Sequence, residues 1–154
     1  MNKRFLGILL GLVVVSFPSY AGDKNPVVAS PDKAYLQKIW DGWGTLDPAY
    51  EARFHAQGQN TFYDESPLKY GSWAEFQQGV SKILATMKRA KFTVNDDAQL
   101  HPAGRYVWGT ATVNEDIVMK DGKNEKGILR WTVVFEEQKG KWLIVHEHIS
   151  QSAP

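Results

Sequence analysis

The spacing of apolar residues changes along the chain, from helical in the first half to alternating in the second. A first helix is predicted behind Ser30-Pro31, because serine is a common N-cap and proline suits the first helical position. Its apolar positions recur at helical spacing: Tyr35, Leu36, Ile39, Trp40 and Trp43. Asp47-Pro48 repeats the start signal, so a second helix is predicted from Pro48 to about Ala56.

A third helix is predicted behind Ser72, where Ser72 and Glu75 have the spacing of a capping box. One stripe of this helix is apolar: Trp73, Phe76, Val80, Ile83, Leu84 and Met87. A short strand precedes it at 61–63. From Phe92 onward the period is two, and the predicted strands are 91–100, 105–118, 128–137 and 141–150. Helices followed by a run of antiparallel strands indicate an α+β fold with helices on one sheet face.

The alternation also assigns the strand faces. The more apolar face should lie against the helices and carries these residues: Val107, Gly109, Ala111, Val113, Leu129, Trp131, Val133, Phe135, Leu143, Val145, Glu147 and Ile149. Glu147 is the one charge in this set. Its carboxylate must be paired or shifted in pKa. Two interpretations stay open: an ion pair at the sheet edge, or a carboxylate in a cavity walled by Trp131, Val133, Val145, Gly109 and Ala111.

The opposite sheet face is also rich in apolar side chains: Trp108, Thr110, Thr132, Val134, Trp142 and Ile144. A monomer seldom exposes so much apolar surface. This face is therefore predicted to form a homodimer interface.

The N-terminus has the layout of a secretory signal. Lys3 and Arg4 precede an uncharged apolar stretch, and Ser19-Tyr20-Ala21 offers small residues at the cleavage positions. The alternative is a membrane anchor, but Pro18 and Ser19 interrupt the apolar run before the ~20 residues that a spanning helix needs. The sequence predicts a signal at 1–21, a flexible leader at 22–30, one domain at 31–151, and a periplasmic or secreted location.

Charge and composition exclude several classes of function. Because the 18 basic residues include Lys3 and Arg4 and there are 17 acidic residues, the mature chain carries one net negative charge. It has no basic footprint for nucleic acid or an anionic membrane. The absence of cysteine excludes disulfides and a thiolate nucleophile. No dinucleotide fingerprint, phosphate loop or nucleophile elbow occurs, so no cofactor is expected.

Two short segments carry candidate chemistry. The segment 62–70 is dense in phenols and carboxylates, and a Tyr63 hydroxyl beside Asp64 suits proton transfer at an enolisable carbon. The alternative is a structural turn. His146 and His148 share one strand face and could bind a metal. No third ligand stands at a recognisable spacing, so the prediction is that no metal is bound.

The C-terminal run carries a family resemblance. Arg130-Trp131-Thr132 and the segment 140–150, with the segment 63–71 and Asp96-Asp97, resemble SnoaL-like domains of the nuclear transport factor 2 (NTF2-like) superfamily. The chain is most similar to the association-domain branch named for calcium/calmodulin-dependent kinase II. The resemblance implies a cone of three helices over a strongly bent antiparallel sheet, a deep pocket, and dimers through the outer sheet face.

That superfamily contains isomerases, cyclases and dehydratases as well as binding and scaffold proteins. The kinase hub lines its pocket with arginines, whereas this chain has Ile149 and Val133 at matching places. The first hypothesis is an exported domain that binds a small, partly apolar molecule through Tyr63, Asp64, Tyr70, Trp131 and Glu147. The alternatives are a cofactor-independent isomerase, cyclase or dehydratase whose catalytic candidates are Asp64, Glu147 and Tyr63, and a metal-dependent enzyme using His146 and His148.

Overall fold

A computed structural model describes residues 28–65 and 67–151, except for the side chain of Gln59. The helices in this part of the chain are α1 Lys33–Trp43, α2 Pro48–Glu51 and α3 Trp73–Leu84. The strands are β1 Gln59–Tyr63, β2 Tyr70–Ser72, β3 Met87–Val94, β4 Gln99–Ala103, β5 Tyr106–Met119, β6 Asn124–Gln138 and β7 Lys141–Gln151. The helices pack on one face of a curled, unclosed sheet, which confirms the predicted α+β cone.

The helix starts follow their capping residues. α1 begins later than predicted, because Asp32 rather than Ser30 is its N-cap and accepts the amide of Tyr35. The predicted cap of α3 is confirmed, since Ser72 Oγ accepts the Glu75 amide at 3.3 Å. Glu75 in turn accepts the amide of Gly71 at 2.7 Å, one residue before the N-cap. These bonds satisfy amides that have no partner within the helix.

α2 is shorter than predicted and ends at Glu51. The chain after it leaves the helix to hydrogen-bond with β7: the Ile144 amide donates to Phe54 at 2.7 Å, and the Ala56 amide donates to Ile144 at 2.9 Å. His55 forms the bridge residue opposite Ile144. A tertiary contact thus overrides the helical pattern and brings His55 onto the sheet.

The seven strands form one sheet in the order β2-β1-β7-β6-β5-β3, with β4 also paired to β5. The predicted strand 91–100 is wrong in its bounds, because it is two strands, β3 and β4, which occupy successive parts of the β5 edge. β1 runs parallel to β7, with Phe62 opposite Glu147, while the other pairs are antiparallel. This register places the residues after Phe62 beside the end of β7.

The face assignment is confirmed on β5 and β6 and is only half correct on β7. Val107, Val113, Leu129, Trp131 and Val133 are buried. On β7, however, the register shifts between Val134 and Phe135, so Val145 is an extra residue, a β-bulge. The bulge reverses the alternation.

The reversal exchanges residues between the two faces of β7. Trp142 and Ile144 are buried in the core and do not belong to the outer face, which corrects that part of the predicted dimer interface. Leu143 and Val145 are only partly buried and are not core residues. Beyond the bulge Glu147 and Ile149 face inward, as predicted.

The N-terminal predictions fall mostly outside the described residues. The signal at 1–21 and most of the leader belong to this part. Within the leader, the Ala29 carbonyl accepts the Trp142 indole at 3.0 Å, so its last residues contact the domain. No helix in the described part of the chain is long and apolar enough to cross a membrane.

Candidate functional site

A cavity of about 190 Å³ lies between the helices and the concave face of the sheet. Its walls are mostly aromatic and aliphatic, and the polar side chains among them are carboxylates. The lining residues are Trp40, Trp43, Asp64, Glu65, Phe76, Val80, Ile83, Leu84, Met87, Phe92, Glu115, Ile117, Leu129 and Ile149. Glu65 and Ile83 are solvent-exposed and mark the open side of the cavity. None of its five predicted wall residues lines it.

Asp64 is the sequence-predicted candidate that lines the cavity. It follows β1 at the point where the parallel pairing with β7 brings it beside Ile149. Burial raises the pKa of Asp64 to about 6, against the lowering effect of the hydrogen bond from the Glu65 amide. The negative charges of Glu147 and Glu65 add to the rise. Asp64 therefore changes protonation close to neutral pH.

Glu147 lies behind the cavity wall rather than in it. It is 1% exposed, and its two oxygens bind different rings: His55 Nε2 lies 3.1 Å from Oε1, and Trp131 Nε1 donates to Oε2 at 2.8 Å. Both rings support the aromatic lining. The Trp131 ring packs edge-on against the Trp40 ring, with 5.4 Å between the ring centroids, and the centroids of the His55 and Trp43 rings are 6.1 Å apart. Neither interpretation holds as stated: Glu147 is paired with a buried histidine rather than with a cation at the sheet edge, and it does not line the cavity.

The hydrogen bonds fix the charge of this pair. His55 Nδ1 donates to the Glu51 carbonyl at 2.9 Å, because a carbonyl can only accept. One proton then remains between His55 Nε2 and Glu147 Oε1. The pair carries no net charge whether this proton rests on the imidazole or the carboxylate, which explains how it can be fully buried.

Glu51 is a second buried carboxyl close to this pair. Neither of its oxygens has a hydrogen-bond partner among the described residues. Burial, and then the Glu147 charge, raise the pKa of Glu51 to about 9, while Arg53 lowers it. The carboxyl is thus protonated at neutral pH. Its oxygen fits only because residue 42 is glycine, since a Cβ there would lie 1.7 Å from Glu51 Oε1.

The other candidates lie away from the cavity. Tyr63 is on the outer sheet face, 37% exposed, with its ring against His146 and His148 at 5.7 and 5.8 Å. Tyr70 is buried against α3, and its hydroxyl has no partner in the described structure. Trp131 does not line the cavity but packs against Trp40, which does. The structure therefore does not bring Tyr63 and Asp64 together as one proton-transfer pair.

His146 and His148 also lie on the outer face. His146 Nδ1 donates to the Thr61 carbonyl at 2.7 Å, and His148 is exposed. Within the described residues, no three His, Cys, Asp or Glu side chains are arranged to hold a metal ion.

Comparison with known sequences identifies the family. A profile described as the SnoaL-like domain matches residues 45–154, well over half of the chain. The chain belongs to the SnoaL-like domain family. Among curated proteins, none matches this sequence.

Solved structures show the same fold for this SnoaL-like domain. An NTF2-like superfamily protein from Salmonella enterica serovar Typhimurium superposes with a TM-score of 0.69 at 15% identity, covering 79% of this chain and 92% of that one. A proposed calcium/calmodulin-dependent kinase II association domain from Xanthomonas campestris superposes with a TM-score of 0.68 at 19% identity, covering 77% of this chain and 84% of that one. A proposed NTF2-like dehydratase from Streptomyces avermitilis gives 0.68 at 12%, covering 79% and 95%. The similarity extends to the fold, and these identities are too low to assign an activity.

The resemblance identified the family correctly, but the site of this SnoaL-like domain includes residues that sequence reasoning missed. His55, Glu51, Glu65 and Glu115 were not singled out. His55 offered one signal, a lone histidine between Phe54 and Ala56. Glu115 offered a second signal, because it continues the inward alternation of Val107 and Val113 on the predicted strand 105–118, whereas nothing local to Glu51 or Glu65 shows which side they face.

Proposed function

We propose that this SnoaL-like domain binds a small, partly apolar molecule in its cavity. The observation that carries the proposal is a cavity of about 190 Å³ with aromatic and aliphatic walls and three carboxylates in its lining. Binding sites in proteins are commonly apolar concavities with a few placed polar groups. An apolar cavity of roughly 150 Å³ holds benzene. The size therefore favours a ligand of about one ring with a short polar extension.

Direct titration tests this proposal, because Trp40 and Trp43 line the cavity and their fluorescence reports on its occupancy. One-ring aromatic and aliphatic compounds should give saturable changes. The cavity-filling variant Val80→Phe should weaken binding at least tenfold, roughly 1.4 kcal/mol. Ile128→Phe adds the same kind of ring at an exposed position, 58% accessible, and should leave binding unchanged. Equal affinities of the two variants would contradict the assignment of the site.

A second candidate function is cofactor-independent isomerisation or dehydration with Asp64 as general base. The observation that favours it is the position of Asp64 on the cavity wall with a pKa near 6. A general base works best when its pKa lies near the working pH. The fold also occurs in the proposed Streptomyces dehydratase.

Proton exchange distinguishes the two functions. For a carbonyl-bearing ligand found by titration, an enzyme should exchange its α-protons with deuterated solvent, detected by NMR. Asp64→Asn should abolish this exchange while the ligand still binds. A binding protein should show no exchange above the buffer rate in either form.

We further propose that the protein is exported after cleavage at Ala21. The arrangement of Lys3, Arg4, the apolar stretch and Ser19-Tyr20-Ala21 supports this location. Expression of the full gene should give a periplasmic or secreted protein whose N-terminus is Gly22 by mass spectrometry. Recovery of Met1-containing protein from the membrane fraction would contradict cleavage.

We also propose a homodimer through the outer sheet face, in a form corrected for the bulge. The support is the exposure of Trp108 and Tyr106, at 44% and 40%, on a face that also holds the partly buried Val134. Sedimentation of the mature chain at micromolar concentration should show a dimer. A monomer would refute the proposal.

A further inference from the structure

The polar part of the cavity lining has a single sign of charge. Asp64, Glu65 and Glu115 line it, and no lysine, arginine or histidine does so among the described residues. Asp64 and Glu65 directly follow β1, and Glu115 lies in the second half of β5. All three line the same cavity although β1 and β5 are not neighbours in the sheet.

These carboxylates lack cationic partners within residues 28–65 and 67–151. The salt bridges found there involve other acids, such as Asp96, Asp116 and Glu136. From the described residues, Asp64 accepts a hydrogen bond from the Glu65 amide at 2.8 Å, and Glu115 accepts one from the Gln151 side chain at 2.7 Å. Neither bond supplies a positive charge.

The uncompensated charge has an electrostatic cost. Burial raises the pKa of all three carboxyl groups. Glu65 raises the pKa of both Asp64 and Glu115 by repulsion. A cation placed among them would remove this repulsion and lower all three values.

The apolar lining favours an organic cation over a metal ion. Trp40, Trp43, Phe76 and Phe92 contribute four aromatic rings to the cavity. Aromatic faces attract ammonium groups, most strongly where water is excluded. The carboxylates, in contrast, are not arranged as a metal site in the described part of the chain.

We propose that the ligand of this cavity is an amine with an apolar body of about one ring, its ammonium group held by Asp64, Glu65 and Glu115. The inference rests on the proposed binding function and adds its ligand class. The ring lies among the aromatic side chains and the ammonium group lies at the carboxylate side. A carboxylate-bearing analogue is repelled by the same groups.

Three probes of similar shape test the proposal: 2-phenylethylamine, 2-phenylethanol and 3-phenylpropanoate. Binding is measured by tryptophan fluorescence and by calorimetry at neutral pH. The amine should bind at least tenfold more tightly than the alcohol, and the carboxylate should bind most weakly. The preference for the amine should diminish with added salt, and also below about pH 6 as Asp64 is protonated.

Two variants locate the effect. Glu115→Gln should lower amine affinity several-fold and leave the alcohol unchanged. Asp116→Asn removes a charge from the next residue of β5, which pairs with Arg89 and does not line the cavity. This substitution should leave the affinities for the amine and for the alcohol unchanged.

The outcomes separate this inference from the proposed function. Equal binding of amine and alcohol would refute the amine class and leave the binding function standing. Equal effects of Glu115→Gln and Asp116→Asn would refute the assignment of the carboxylates. Failure of all three probes to bind at millimolar concentration, with no other one-ring compound saturating the fluorescence, would overturn both proposals.

Discussion

Glu147 links the rings behind the cavity, so replacing it gives a sharp test of how that wall is held. Glu147→Leu keeps the volume roughly but leaves His55 Nε2 and the Trp131 indole without partners. Each buried polar group left unsatisfied costs about 1–3 kcal/mol, and breaking a buried pair costs about 3–5 kcal/mol in all. We expect a loss of about 4 kcal/mol, a large fraction of a typical folding free energy.

Glu147→Gln provides the matched comparison, because an amide can serve both rings. Its oxygen can accept the Trp131 indole, and its NH₂ can donate to His55 Nε2, since Nδ1 carries the hydrogen bonded to Glu51. Only the charge assistance is lost. The expected cost is about 1–2 kcal/mol.

Urea unfolding followed by far-ultraviolet circular dichroism measures both values. The urea concentration at the midpoint should fall much further for Glu147→Leu than for Glu147→Gln, with little change in the slope of unfolding free energy against urea concentration. If Gln costs as much as Leu, the charge rather than the hydrogen bonds holds the pair. If Leu costs less than about 1 kcal/mol, the pair does not support the wall, and the reasoning is wrong.

Three further predictions concern buried groups. Glu51→Gln should stabilise the protein, and its gain in the free energy of unfolding should grow as the pH rises from about 5 to 9. The folded carboxyl keeps its proton up to about pH 9, whereas the unfolded carboxyl loses it above its ordinary pKa. The free energy of unfolding of the wild type therefore falls by up to about 1.4 kcal/mol per pH unit. Urea unfolding at pH 5 and pH 8 measures it, and a constant difference would refute it. Gly79→Ala should destabilise the protein by about 1–3 kcal/mol despite the helix preference of alanine, because the new Cβ would lie 2.2 Å from the Tyr70 hydroxyl. In a double-mutant cycle, Tyr70→Leu should reduce this loss of stability. Ile144→Asp should unfold the protein, as measured by circular dichroism, because Ile144 is fully buried. Trp108→Asp should leave a folded chain that sediments as a monomer, because Trp108 is exposed on the outer face.

Much of the fold could be predicted from local rules. The capping box at Ser72 and the alternation of β5 and β6 each depend on neighbouring residues, and both are confirmed. Lys139 and Gly140 also follow a local rule, since their positive φ values of 52° and 80° are the backbone of a tight hairpin turn.

The rest depended on contacts between distant segments. Nothing near His55 shows that the chain after α2 will pair with β7. The parallel pairing of β1 with β7 decides that Asp64 lines the cavity. The inward direction of Glu147 was predicted correctly although the alternation breaks at Val145, because the bulge lies before Glu147 and leaves the later part of the strand unchanged.

The bulge at Val145 divides β7 into two parts whose side chains alternate in opposite phase. Before it, even-numbered positions such as Trp142 and Ile144 face the helices, and after it odd-numbered positions such as Glu147 do so. Deleting Val145 would remove the extra residue and join the two parts of the strand in regular alternation, with Trp142 and Ile144 still facing inward and His146 and His148 still outside. A one-residue gap at this point in an alignment of relatives therefore signals loss of the bulge with both faces kept, whereas a one-residue gap elsewhere in the strand would exchange its inner and outer side chains.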